Sequence, residues 1–286
     1  MRVEGETFPK TLLDPAGERI RLERPPQRIV SATLVADEML TEMIAPERLV
    51  AVTAYAEQPG VSNCREKLPP HAARLQQAYT EEILALRPDL VFVADYSEAN
   101  TVRQLLGAGI PVVRLGQERG FEAIARNLAL LGAVTGEEAR AADMAASMRA
   151  RIEAVKRRVA GRPRPRVLYY TQWGTTAGVG TLIDEMIELG GGRNVARELG
   201  LKSVTQVQLE AVLAARPEVL IVQGYLESGE AAVRRLLDDP LWAGVPAVRD
   251  RRIHAVPAKS MGCVSQYGVE GLEAVARALH PEAFEE

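Results

Sequence analysis

The sequence predicts an α/β fold of two Rossmann-like lobes with mainly parallel sheets, joined by one long α-helix and enclosing a ligand cleft. The first observation is a repeat: T-E-E-I-L-A-L-R-P-D-L-V-F-V-A-D-Y at residues 80–96 returns as L-E-A-V-L-A-A-R-P-E-V-L-I-V-Q-G-Y at residues 209–225. Each copy predicts a short helix, a proline that terminates it and a buried parallel strand. The second is an uninterrupted helical pattern over residues 136–160. The third is size, since 286 residues with 47% apolar side chains can build two cores.

The first half of the chain alternates strand and helix patterns. Residues 7–24 alternate around Pro-Ala-Gly and predict a β-hairpin, and residues 56–79 carry four prolines and glycines that predict a long loop. Short apolar runs predict strands, and longer amphipathic runs predict helices. The predicted strands are 28–30, 49–53, 90–94 and 111–115. The predicted helices are 36–44, 80–87, 98–107 and 121–131, the last one ending at Gly132.

The second half repeats this order. Its predicted strands are 166–170, the repeat strand before Tyr225, and 253–256. Its predicted helices are 182–189, the repeat helix at 209, a helix through Leu236 and 269–279, with loops at 171–180 and 257–268. We therefore expect an N-terminal hairpin extension at 1–26, an N-terminal lobe at 27–135, a linking helix at 136–161 and a C-terminal lobe at 162–286.

Charge and hydropathy exclude two classes of partner. The net charge is −3, with 35 basic and 38 acidic side chains mixed along the chain, so a basic face for nucleic acid is not expected. No run of 18 apolar residues predicts a membrane span. The first residues lack the apolar stretch of a signal peptide, which fits either a cytoplasmic protein or a chain that starts at a mature terminus.

Catalytic and metal-binding motifs are not found in the sequence. Gly178-Val179-Gly180 follows a strand, but Ile183 replaces the third glycine of a dinucleotide fingerprint. The three histidines are scattered without zinc-ligand spacing, so no metal site and no resident cofactor is expected. We expect Cys64 and Cys263, one in each lobe, to be free thiols rather than a disulfide.

Aromatic residues are scarce, yet Tyr55, Tyr96, Trp173 and Tyr225 each follow a predicted strand. The carboxyl ends of parallel strands are where open α/β sheets bind ligands, and an aromatic side chain offers a broad apolar face with a polar tip. These four residues therefore predict a binding cleft for a bulky, partly polar ligand.

Glu81 and Glu210 occupy equivalent places in the repeat, each in the first turn of its helix. There a carboxylate stabilises the helix dipole by a few tenths of a kcal/mol. Two such carboxylates on two similar lobes also suit a two-fold symmetric partner with basic sockets.

The chain resembles the class III periplasmic substrate-binding proteins of ABC importers, which carry ferric siderophores, haem and vitamin B12. The resemblance rests on F-P-K-T-L-L-D-P-A-G-E-R-I with P-P-Q-R-I-V-S, L-R-P-D-L-V-F-V, R-N-L-A-L-L-G-A-V-T-G-E-E, I-E-L-G-G-G-R-N-V-A and A-L-H-P-E-A-F, in that order. It implies two lobes on one long helix, with Glu81 and Glu210 docking onto arginines of a permease dimer. It also implies a monomer that is periplasmic or anchored outside the cytoplasmic membrane.

The resemblance implies a metal chelate as cargo, containing iron or cobalt, and leaves its identity open. The opening segment is similar to the iron-complex members, whereas Tyr55 and Trp173 match cleft aromatics of corrinoid-binding members. Leu75 and Val204 replace the tryptophans that precede both docking glutamates there, and Tyr79 does not match the spacing of a haem ligand. Met261 and Tyr267, in the last loop, are further candidate cargo contacts.

We therefore expect a non-enzymatic importer subunit that captures a ferric siderophore or haem, with a corrinoid as the alternative. The same two-lobed plan also suits an enzyme with a cofactor in the cleft, or a sensor that reports ligand. A permease and an ATPase encoded beside this chain would favour the importer.

Overall fold

The amino-terminal residues form a three-stranded antiparallel sheet. The computed structural model describes residues 1–13, 19–116, 120–224 and 228–285. The strands, in the spatial order β1-β2-β3, are β1 (Arg2–Glu4), β2 (Lys10–Leu13) and β3 (Arg19–Leu22). The predicted hairpin is confirmed as β2 and β3, and β1 is a strand that the sequence pattern did not predict. The predicted turn lies outside the described residues.

The first unit of the chain contains a five-stranded parallel sheet. Its strands are β4 (Ile29–Ser31), β5 (Leu49–Thr53), β6 (Ala73–Leu75), β7 (Leu90–Ala94) and β8 (Val112–Leu115). They lie in the order β6-β5-β4-β7-β8, that is third, second, first, fourth and fifth along the chain. This is a doubly wound, Rossmann-like order, and the winding reverses between β4 and β7. Its helices include α1 (Leu34–Met43), α2 (Thr80–Ala85) and α3 (Ala99–Gly107).

Strand β6 lies inside the segment for which the sequence predicts a loop. Its three residues pair in parallel with β5, Ala73 opposite Ala51 and Leu75 opposite Thr53. A three-residue strand is too short to show a periodic pattern, so the ladder with β5 forms it rather than local propensity. Two 3-10 helices, Ala54–Glu57 and Arg65–Lys67, occupy part of the same segment.

Two consecutive helices follow, α4 (Phe121–Thr135) and α5 (Glu138–Val159). The prediction that the first of them ends at Gly132 is wrong, because α4 continues to Thr135. A Cβ atom on Gly132 would lie only 2.5 Å from the Cβ of Ala141 in α5. Gly132 therefore permits a close approach of two helices and does not terminate one.

The second unit contains a four-stranded parallel sheet. Its strands, in the order β11-β9-β13-β14, are β9 (Arg166–Tyr170), β11 (Arg193–Asn194), β13 (Val219–Gly224) and β14 (Ile253–Pro257). This order is also doubly wound, with its reversal between β9 and β13. The helices are α6 (Leu182–Leu189), α7 (Val195–Glu198), α8 (Leu209–Ala215), α9 (Gly229–Asp238), α10 (Pro246–Arg249), α11 (Ala258–Met261) and α12 (Gly268–Leu279).

Two predicted loops of the second unit contain regular structure. Strand β10 (Thr175–Ala177), within the glycine-rich segment, pairs antiparallel with β12 (Val204–Gln206). Gly178 lies beside this ribbon, and a Cβ there would come within 2.2 Å of the Leu201 carbonyl oxygen. The glycine of the G-x-G pattern thus serves backbone packing. The last loop contains the one-turn helix α11.

The chain divides into its two units inside α5: Met1–Glu118 with Glu122–Ser147, and Arg119–Phe121 with Met148–Glu286. In the first unit, Arg48 donates to Glu137 at 2.6 Å, and the buried Lys10 pairs with Glu138. In the second unit, Arg151 donates two hydrogen bonds to Glu273 of α12, at 2.8 and 2.9 Å. Each end of α5 is therefore tied to the unit that contains it.

Each unit has its own apolar core on its parallel sheet. All five residues of β7 are buried, and Phe92 is among the largest fully buried side chains. In the second unit, Tyr170 meets Trp242 edge to face, with ring centroids 4.6 Å apart. The continuous apolar runs of the repeat are explained by strands that are covered on both faces. The predicted fold class, α/β with mainly parallel sheets in two units, is confirmed.

The repeated Arg-Pro-acid sequence ends a helix and begins a strand in both units. Arg87 and Arg216 adopt the left-handed conformation, with φ of 48° and 50°. The acid two positions later accepts a hydrogen bond from the start of the neighbouring strand. Asp89 accepts from the amide of Arg28, just before β4, at 2.8 Å, and Glu218 accepts from the amide of Arg166, the first residue of β9, at 2.7 Å. These bonds lie at the amino ends of the sheets, so this part of the repeat is structural.

None of the helices in the described part of the chain combines the length and apolar character that crossing a membrane requires.

Candidate functional site

Two exposed tyrosines lie at the carboxyl ends of strands in the first sheet. Tyr55 comes two residues after β5, in the 3-10 helix Ala54–Glu57, and Tyr96 comes two residues after β7, in a turn. Their side chains are 52% and 75% exposed. Because β5 and β7 are parallel, both residues lie at one edge of this sheet, which we call the carboxyl edge. In doubly wound sheets this is the edge that binds ligands.

Buried carboxylates in α1 support the segment that carries Tyr55. Asp37 is fully buried, and its Oδ2 accepts from the Thr53 hydroxyl at 2.5 Å and from the Thr53 amide at 3.2 Å. Burial raises the pKa of the Asp37 carboxyl to about 7, although hydrogen bonds from Ser31 and Thr53 act in the opposite direction. Next to it, the buried Glu38 accepts two hydrogen bonds from Asn63.

Trp173 lies at the carboxyl edge of the second sheet, three residues after β9. Its indole ring is 53% exposed. A tight turn holds it: the Gly174 amide donates to the Thr171 carbonyl at 3.0 Å, and Gly174 has a φ of 73° that favours glycine. The Thr171 hydroxyl also accepts from the Trp173 amide at 3.3 Å. The turn therefore presents the ring to solvent.

The other candidate contacts of the second unit differ from one another. Tyr267 is half-buried at the start of α12. Met261, predicted from the sequence as a cargo contact, has only 1% of its surface exposed, and its role as a contact stays a prediction. The one-turn helix α11 points this side chain into the interior, where methionine fills apolar space. Tyr225 follows β13 and lies outside the described residues.

Glu81 and Glu210 are exposed in the first turns of α2 and α8. Each helix runs back to the amino end of the next strand, β7 or β13, so its start points towards the carboxyl edge of its own sheet. The two carboxylates therefore have equivalent positions in the two units. Their role as docking residues stays a prediction.

The described residues contain no group of three or more His, Cys, Asp or Glu side chains placed to hold a metal ion. Both cysteines are buried thiols. The Cys64 thiol lies 3.3 Å from the Ser62 hydroxyl, and burial raises its pKa to about 12. A thiol with such a pKa is a poor nucleophile.

Sequence reasoning missed Asp37 and Glu38. Both belong to L-V-A-D-E-M-L, where two adjacent acids interrupt an otherwise apolar helix start. Charged residues are rarely fully buried unless they have partners. These two adjacent acids could therefore have indicated that the helix makes buried polar contacts within the unit.

An α/β protein with exposed aromatic residues at the carboxyl edges of its sheets has the features of a solute-binding protein. The chain matches the family model described as "Periplasmic binding protein" over residues 29–259. It therefore belongs to the periplasmic binding protein family, whose members act outside the cytoplasm. The resemblance to class III substrate-binding proteins of ABC importers is confirmed.

Individual relatives are named for several ligands. The chain is 29% identical over 218 residues to a cobalamin-binding protein of Halobacterium salinarum, a match that covers 75% of this chain and 58% of that protein. It is 29% identical over 205 residues to the vitamin B12-binding protein of Yersinia pestis, covering 69% and 70%. The structure of a periplasmic haem-binding protein from Pseudomonas aeruginosa superposes with a TM-score of 0.74 at 28% identity, covering 90% and 93%. The relatives are named as binding proteins and not as enzymes.

Proposed function

We propose that the protein captures an iron complex, a ferric siderophore or haem, outside the cytoplasmic membrane and delivers it to the permease dimer of an ABC importer. The observation that carries this proposal is the placement of Tyr55, Tyr96 and Trp173, three half-exposed or exposed rings at carboxyl edges. The protein is a binding protein by family, which supports assigning these rings to a solute. The cargo brings its own metal.

The aromatic side chains of the candidate site favour a bulky metal chelate over a small ion as cargo. An indole or phenol face stacks on the flat organic part of such a complex, and a phenol oxygen donates a hydrogen bond or coordinates ferric iron. A bare transition metal would need a cluster of nitrogen, sulfur or carboxylate ligands.

A corrinoid is the second candidate cargo. The observation that favours it is the identity of 29% to relatives named as cobalamin-binding and vitamin B12-binding proteins. The three rings also suit a cobalamin such as cyanocobalamin, whose cobalt has four nitrogen ligands from the corrin ring and two axial ligands that the cargo itself brings. In that case the phenol groups act only as hydrogen-bond donors and stacking surfaces.

Delivery requires a partner, and Glu81 and Glu210 supply the contacts that we assign to it. Both are exposed and have equivalent positions in two similar units. A permease dimer with arginines at two symmetric positions would accept both carboxylates at once through charge-assisted hydrogen bonds. ATPase subunits on the other side of the membrane would supply the energy of transport.

The decisive test of the cargo is the visible absorption spectrum and native mass of the protein purified from its host. Haem, corrinoids and ferric catecholates absorb at different wavelengths and have different masses. A bound haem or ferric siderophore supports the first proposal, and a bound corrinoid supports the second. A protein that is colourless when purified and binds neither haem, a corrinoid nor a ferric siderophore when these are added would contradict both cargo proposals.

A further inference from the structure

Segment 53–63 carries Tyr55, and its regular structure beyond the end of β5 is the short 3-10 helix Ala54–Glu57. Its backbone bonds there are local, such as Gln58 amide to Tyr55 carbonyl at 3.1 Å and Ser62 amide to Gln58 carbonyl at 2.9 Å. Ala56 is fully buried beside the exposed Tyr55. The segment therefore needs support from elsewhere to hold the ring in one place.

Helix α1 bonds this segment at both ends. Asp37 accepts from the amide and the hydroxyl of Thr53, where β5 ends. Glu38 accepts from the Asn63 amide at 2.8 Å and from the Asn63 side-chain amide at 2.9 Å. Adjacent helix positions project about 100° apart, so neighbouring acids can reach two different parts of one loop. A third acid one turn later, Glu42, pairs with Lys67 beyond the segment.

Burying these two carboxylates is costly for folding alone. Asp37 has no exposed surface and Glu38 has 2%, and burial is the main reason that the Asp37 pKa is raised. The neighbouring Glu38 carboxyl raises the Asp37 pKa further, because a like charge disfavours ionisation. In other proteins, replacing buried ionic groups by apolar residues of similar volume is often neutral or stabilising. Two buried acids are therefore better explained by the loop geometry that they impose.

We propose that Asp37 and Glu38 are positioning residues of the cargo site, two adjacent carboxylates that fix segment 53–63 at both ends and so hold Tyr55 at the carboxyl edge. This inference rests on the proposed role of Tyr55 as a cargo contact. Neither acid touches the cargo. Each acts through the loop, since an ordered ring loses less conformational freedom when cargo binds.

The test compares substitutions that keep or remove the acceptor oxygens. Glu38→Gln keeps a side-chain oxygen for Asn63, whereas Glu38→Met fills the same space without one; Asp37→Asn and Asp37→Leu form the matching pair. Asp184→Asn is the control, because Asp184 is a buried acid whose partners are Asn194 and Arg197 in the second unit. Two quantities are measured: amide hydrogen exchange across 53–63, and the dissociation constants for haemin, a ferric hydroxamate and cyanocobalamin.

We expect Glu38→Met and Asp37→Leu to speed exchange in 53–63 and to weaken binding of the probe that the wild type binds by roughly fivefold or more, the equivalent of about one net hydrogen bond. Glu38→Gln and Asp37→Asn should recover most of the affinity, and Asp184→Asn should change neither quantity. The inference is overturned if exchange in 53–63 is unchanged, or if exchange rises while affinity stays constant. If the wild type binds no probe, the cargo proposal fails, and the exchange data alone decide whether the two acids order the segment.

Discussion

Replacing Asp37 by asparagine should remove a pH dependence from the stability of the first unit. Burial raises the pKa of this carboxyl from 3.8 to about 7 in the folded protein. Ionisation is therefore harder in the folded than in the unfolded chain. The stability that the protonated group contributes is complete below about pH 4 and is lost as the pH rises through about 7. At about 1.4 kcal/mol per pKa unit, Asp37 lowers the unfolding free energy by about 2 to 3 kcal/mol between about pH 5 and pH 8.

Hydrogen exchange of the buried β7 amides measures the unfolding free energy of the first unit, because these amides exchange only when the unit opens. The unfolding free energy is measured at about pH 5 and about pH 8, and its difference between the two pH values is compared for the wild type, Asp37→Asn and the control Asp184→Asn. Asparagine does not titrate, so the difference should shrink by about 2 to 3 kcal/mol in Asp37→Asn and stay at the wild-type value in the control. An Asp37→Asn protein with the wild-type difference would refute the assignment of this titration to Asp37.

Three further outcomes follow from the structure. Gly132→Ala should destabilise the first unit by about 1 to 3 kcal/mol because its Cβ would meet Ala141, whereas Gly107→Ala, with open space around it, should be close to neutral; urea denaturation that ranks them in reverse would contradict the close helix contact. Exchanging Glu81 and Glu210 together for arginine should abolish transport in reconstituted vesicles without changing cargo affinity, while Glu82→Arg, beside Glu81, should transport normally; equal loss of transport and affinity would argue against docking. A thiol reagent should label neither cysteine in the native protein and both after unfolding, because both are buried and the Cys64 pKa is about 12; rapid native labelling of Cys64 would contradict its burial.

The repeat and the apolar runs were enough to predict most of the fold. The bounds of β5, β7, β9 and α6 agree with the sequence prediction because each element is a clear apolar or amphipathic run between strong stop signals. Strands β6, β10 and β12 have three residues each, and they exist because a neighbouring strand pairs with them. Pairing across the chain leaves no local pattern in a segment so short.

Gly132 also shows that local sequence rules miss contacts that form only on folding. A glycine near the end of a helical pattern indicates a stop by local rules, but here its lack of a side chain serves contact with a second helix. Whether such a glycine ends a helix or permits a helix contact depends on its neighbour in the folded unit, here Ala141.

The exposed part of the candidate site followed from the sequence, and the buried part did not. Tyr55, Tyr96 and Trp173 could be placed because their strands could be predicted and each residue comes two or three positions after one. The burial of Met261 was not predicted, because a single helical turn rotates it inward and a segment rich in small residues gives no sign of that turn. Asp37 and Glu38 act on a loop some 16 to 25 positions later, a relation that only the folded unit reveals.

The most direct test of the account is the equilibrium dissociation constant for haemin, a ferric hydroxamate and cyanocobalamin in the wild type, Trp173→Ala and Leu241→Ala. Leu241 is the control, a 66% exposed apolar side chain of the second unit that lies in the 3-10 helix Pro240–Trp242, which follows a helix and not a strand. We predict that the wild type binds one of these metal complexes tightly, that Trp173→Ala weakens its binding roughly tenfold or more, and that Leu241→Ala leaves it unchanged. Binding of none of the three, or equal weakening by both substitutions, would contradict an aromatic cargo site at the carboxyl edge.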